Sequence, residues 1–112
     1  MYLCAQKLRN DMMKTVIEEQ NGYLVAILEG HLDTAVSEEV EQILSPLLHC
    51  ADKDIVLDCT ALTYISSSGL RIFLNILKSA KAKGRPVYLK GMSNDLRSIL
   101  AMTGFLNLFK YF

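Results

Sequence analysis

Between Val36 and Leu89 the apolar residues switch back and forth between two spacings, and this limits the possible folds more than any other feature of the chain. Val36, Val40, Ile43, Leu44 and Leu47 recur at helical spacing, with Glu38, Glu39, Glu41 and Gln42 on the other side. Ile55, Val56 and Leu57 then form an unbroken apolar run, which fits a central strand covered on both faces. Leu70, Phe73, Leu74, Leu77 and Ala80 make a second helical stripe opposite Arg71, Asn75 and Lys78, and Val87-Tyr88-Leu89 supplies a further strand. Helices that cross over between strands leave those strands parallel, so helices are expected on at least one face of a mixed sheet.

Flanking segments extend this pattern. Thr15 to Gln20 and Tyr23 to Glu29 are β-rich runs around Asn21-Gly22, a pair suited to the two-residue turn of a hairpin. Thr34 is available to cap the first helix, and Pro46 should kink or end it, because an interior proline costs about 3 kcal/mol. Thr60 to Ile65 reads as a loop, and Lys83-Gly84 closes the second helix. Ser93 or Asn94 caps a third helix carrying Leu96, Ile99 and Leu100, which Gly104 ends, and Leu108 to Phe112 alternate weakly like an edge strand. Residues 1–13 lack a clean period and read as an irregular arm, with Met13 a candidate start, ahead of a single domain over residues 14–112. The expected architecture is α/β, with a mixed sheet of four or five strands, an N-terminal hairpin and three or four helices.

At 112 residues and 51% hydrophobic the chain supports one core. Twelve Lys and Arg balance twelve Asp and Glu, which argues against nucleic acid or an anionic membrane as partner. Its longest strongly apolar stretch, Leu24 to Leu28, falls far below the roughly 20 residues of a membrane span, and no export signal is visible, so a soluble cytoplasmic protein is expected. Cys4, Cys50 and Cys59 show no paired spacing and fit a reducing compartment, with Cys59 read as a small buried hydrophobe. His31 and His49 lack metal-ligand spacing, and no Walker run or dinucleotide fingerprint occurs. No metal or cofactor is called for, and with no base marked out for a nucleophilic serine, enzymatic activity is not expected.

Chemistry concentrates at Ser66-Ser67-Ser68-Gly69, where functional loops gather in such sheets, at the start of the second helix. One serine suffices to cap the free amides of a first turn. An exposed serine there is also a plausible phosphate acceptor, since free amides and the helix dipole favour an anion.

The segment Ile55-Val56-Leu57-Asp58 through Tyr64-Ile65-Ser66-Ser67-Ser68-Gly69-Leu70-Arg71 looks like a signature of strand, short loop, serine pair, glycine and helix. Gly30, Leu32 and Asp33, then Gly84 with the Val87 to Leu89 strand, then Thr103-Gly104-Phe105, follow in matching order. On these residues the chain, from about Lys14 to Phe112, resembles the STAS family of sulfate transporters and anti-sigma factor antagonists, and specifically the free-standing bacterial antagonists. The resemblance implies the STAS fold and partner switching. In that scheme the unmodified domain binds an anti-sigma factor with serine kinase activity, phosphorylation ends the binding, and a serine phosphatase resets it. The family's modified serine follows the aspartate of an Asp-Ser-Ser-Gly motif and corresponds by position to Ser67. Ser66 stands where that aspartate usually is, so Ser66 and Ser68 remain competing acceptors. Asp33, Thr34, Ser66, Ser68, Gly69, Leu70, Arg71 and Asn75 are the expected partner contacts, with a solvated face the alternative for Arg71 and Asn75. The other reading is a constitutive STAS interaction module, a scaffold or transporter accessory that is never phosphorylated. A monomer or weak dimer is expected, with an exposed apolar tail around Phe109 and Phe112 able to self-associate.

Overall fold

Asn21 and Gly22 stand at φ of 52° and 85°, the left-handed pair that a type I′ turn requires. The hairpin they close lies early in the chain. In the computed structural model, which describes residues 3–7, 13–49 and 52–112, the order is β1 (Leu3–Lys7), β2 (Met13–Gln20), β3 (Tyr23–Leu32), α1 (Thr34–Leu48), β4 (Asp54–Ile65), α2 (Ser67–Ala82), β5 (Val87–Lys90), α3 (Asn94–Thr103), a 3₁₀ turn (Leu106–Leu108) and β6 (Lys110–Tyr111). The strands form one mixed sheet in sequential order. β1, β2 and β3 pair antiparallel, and β3 to β6 pair parallel, each parallel step bridged by a helix as expected.

Three local expectations are corrected. The sheet has six strands rather than four or five, because Leu3 to Lys7 of the supposed arm pair with β2 from Leu3↔Glu18 to Lys7↔Lys14. Main-chain pairing along a strand edge needs no side-chain period, so the sequence carried little sign of it; residues 1–2 and 8–12 lie outside the described ones. Asp33, not Thr34, caps α1, which closes within a turn of Pro46, ending at Leu48 where the His49 amide donates to the Pro46 carbonyl. Finally, the segment from Thr60 to Ile65 is strand, not loop.

That last correction positions the site. Between Ile27 and Glu29 of β3, β4 advances from Asp58 to Ala61, and between Gly30 and His31 it advances from Leu62 to Tyr64. Each step inserts one extra β4 residue, a bulge that breaks the two-residue alternation. Asp58 Oδ1 accepts from the Thr60 amide and hydroxyl at 3.0 and 2.7 Å, and the Thr63 hydroxyl donates to the Gly30 carbonyl at 2.9 Å. The buried residues Cys59, Leu62 and Ile65 are consequently spaced by three.

The buried apolar side chains of α1, α2 and α3 all join one cluster with Leu24, Ala26, Leu28, Ile55, Leu57 and Leu89, which alternate along the strands with Val25, Val56 and Tyr88. The helices therefore cover a single face of the sheet. Val25 and Val56 are buried on the other, beside Tyr23 and Phe112, whose rings meet Tyr88 with centroids 5.9 and 4.7 Å away. The Ile55 to Leu57 run is thus covered on both faces, by helices on one only. At the close of α2, Gly84 adopts φ +73°, the Arg85 amide reaches the Ala80 carbonyl at 2.9 Å and the Gly84 amide reaches that of Lys81 at 3.0 Å, a Schellman closure around the expected glycine. Ser93 caps α3 and Gly104 ends it in the left-handed region. Phe109 belongs to the core, whereas Leu108 and Phe112 of the expected tail are open to solvent. No helix among the described residues is long and apolar enough to cross a membrane.

Candidate functional site

Leu32 and Ile65 are register partners at the ends of β3 and β4, and the Ser66 amide donates to the Leu32 carbonyl at 2.8 Å. Parallel strands lie about 4.8 Å apart, so α1 and α2 begin side by side. Asp33 caps the first, its Oδ1 accepting from the Val36 amide at 3.2 Å, and Ser66 caps the second, its Oγ accepting from the Gly69 amide at 3.2 Å. Neither helix has an acidic residue in its first turn. Each helix start carries the equivalent of about half a positive charge, and on α2 no side-chain carboxylate offsets it.

The three serines now separate. Ser66 is 8% exposed and its hydroxyl oxygen accepts the capping bond. Ser67, the first residue of α2, is exposed. Ser68 is half-buried and faces a cleft between α1 and α2 with Ser37, Glu38, Glu41, Arg71 and Ile72.

Gly69 lets this corner pack closely. A Cβ there would lie 2.6 Å from Leu32 Cγ and 3.0 Å from Ile65 Cγ1, so only glycine lets the first turn of α2 press so closely on the strand ends. Gly69 and Leu70, both among the expected contacts, are buried, Leu70 in the core. Thr34, Arg71 and Asn75 are exposed and Asp33 is half-buried. Asn75 lies one turn beyond Arg71, against Glu41, Leu44 and Leu48 of α1. The structure therefore gathers Asp33, Thr34, Ser67 and Ser68 at one corner and leads from it along α2 to Arg71 and Asn75.

A family model described as the STAS domain matches residues 14–112. The chain belongs to the STAS domain family. It is 31% identical over 97 residues to BtrV of Bordetella bronchiseptica, covering 87% of this chain and 84% of that one. It is 28% identical over 79 residues to the anti-sigma-B factor antagonist of Staphylococcus aureus, covering 70% of this chain and 73% of the relative. Among solved structures, the anti-sigma factor antagonist SpoIIAA in its unphosphorylated form shares the fold with a TM-score of 0.72 at 20% identity, over 88% of this chain and 87% of the other. The phosphorylated form of the Bacillus cell fate determinant SpoIIAA aligns with a TM-score of 0.68 at 19% identity, over 88% and 90%.

On this STAS domain one surface feature escaped the sequence reading. His31 and Tyr64 stack with centroids 4.7 Å apart and planes 20° from parallel, and Tyr64 is 42% exposed. The pair stands on the strand ends that lead into Asp33 and Ser66, and the second bulge is what sets the two rings opposite each other. No spacing in the sequence announces that. Cys59 is buried as expected; burial first, and the Asp58 charge second, push its thiol up to about 12, so it is held protonated and unreactive at neutral pH. The Cys4 side chain and Cys50 lie outside the described residues.

Proposed function

We propose that this STAS domain is an anti-sigma factor antagonist that works by phosphorylation-controlled partner switching, with Ser67 as the acceptor. The observation that carries this reading is the division of labour at the start of α2: Ser66 is buried as the cap, and Ser67 presents an exposed hydroxyl on a corner pinned by Gly69. In the unmodified state the corner of Asp33, Thr34, Ser67 and Ser68, with Arg71 and Asn75 beyond it, docks an anti-sigma factor that is also the serine kinase. Phosphorylation adds about 1.5 to 2 negative charges. Free amides and the helix dipole tolerate an anion at that position, whereas a closely packed interface loses its fit. The switch acts on docking and spares the fold. The shared fold of the two SpoIIAA forms supports this. A serine phosphatase returns the domain to its binding state, and the domain itself performs no catalysis.

The test is retention of a cognate anti-sigma kinase by immobilised wild type, Ser67→Ala and Ser67→Glu, with intact-mass analysis of each chain after incubation with kinase and ATP. Wild type and alanine should retain the kinase and glutamate should lose it, and only wild type should gain one phosphate. Equal retention by all three chains without any mass gain would favour the constitutive interaction module, a reading that the serine at position 66 in place of the family's aspartate keeps open.

A further inference from the structure

We propose that Arg71 is the internal counter-ion of a phosphate on Ser67, folding back one helical turn to hold it and leaving the cleft between α1 and α2 to Glu38 and Glu41. This rests on Ser67 being the acceptor. Ser67 and Arg71 are four residues apart on α2, a spacing that places their Cβ atoms about 5 to 6 Å from each other on one helix face. Long helical side chains lean toward the N-terminus, so the Arg71 guanidinium extends back over the turn that holds Ser67. Both residues are exposed. The other cations of α2, Lys78 and Lys81, lie well down the helix.

In the unmodified chain the Arg71 side chain shares the cleft with Ser68, Glu38 and Glu41, yet it forms no hydrogen bond or ion pair among the described residues. It is an uncommitted planar donor within reach of a hydroxyl that gains a dianion. A guanidinium binds phosphate through paired N–H donors, a geometry an ammonium cannot reproduce. Modification then changes the docking face twice: an anion appears at Ser67, and a cation leaves the cleft, where the two glutamates stay behind.

The experiment uses the full chain carrying phosphoserine installed at position 67 during translation, so that no kinase is needed. The second ionisation of the phosphate, ordinarily near pH ~6, is followed by ³¹P NMR. The midpoint should rise by about half a unit or more in Arg71→Ala relative to wild type, with Arg71→Lys in between. The Arg71 Nε–H resonance should move through the same titration in wild type. Equal midpoints in wild type and Arg71→Ala, with an Arg71 resonance that ignores the phosphate, would overturn the latch. That result would leave partner switching intact, whereas a Ser67 that no kinase modifies would defeat the switch and leave this titration unaffected.

Discussion

Two helices of this molecule start within one strand spacing of each other, with the same cap geometry and different chemistry. Asp33 and Ser66 each accept an amide hydrogen bond of 3.2 Å from the residue three positions on. The carboxylate of Asp33 gives α1 its own anion at the positive end of the helix. α2 receives only a neutral hydroxyl, and the next residue, Ser67, is open to solvent. One start is electrostatically complete; the other can take on an anion later. They also differ in packing, since only α2 has a glycine wedged against the strand ends. A site that must gain and lose a dianion without moving is better served by the second arrangement, where shape is fixed and charge is not.

The largest way to break this comparison is to remove the wedge. Gly69→Ala should cost about 1 to 3 kcal/mol through overpacking against Leu32, and Leu32→Ala alone about 2 to 5 kcal/mol through the cavity it leaves. Urea denaturation of the double variant should show a loss smaller than the sum, because the truncated Leu32 no longer meets the new Cβ. Strict additivity would mean that the close approach does not hold the corner in place.

A smaller change sharpens the electrostatic contrast. Asp33→Ala and Ser66→Ala should each cost about 1 kcal/mol by loss of a cap. Ser66→Asp should make α2 resemble α1, raising the stability of the unmodified chain by roughly 0.3 to 1 kcal/mol. With phosphate on Ser67 the sign should reverse, since two anions then share one helix start. Thermal midpoints of wild type and Ser66→Asp, each with and without the phosphate, measure both halves of that prediction.

The sequence disclosed the hairpin, the crossover helices and the serine-rich helix start, because each rests on local rules: Asn-Gly turns, helical apolar spacing and hydroxyl caps. It hid what depends on pairing. β1 is held by main-chain bonds to β2, which leave no period in the sequence. The second half of β4 read as a loop because two bulges turned its alternation into a spacing of three, with Cys59, Leu62 and Ile65 buried in turn. The His31 and Tyr64 stack exists only once that register is known. Leu70 shows the same limit: its place beside the serines in sequence gave no sign that its side chain enters the core.

The claim on which the functional reading rests is that a phosphate at Ser67 alters a surface and leaves the scaffold alone. The amide ¹H–¹⁵N spectrum of the chain, recorded with serine and with phosphoserine at position 67, tests it most directly. Shifts confined to residues 32–41 and 64–75, with the core amides of Ile17, Leu57 and Leu89 unmoved, are the predicted outcome. Displacement of those core amides, or loss of spectral dispersion on phosphorylation, would contradict it.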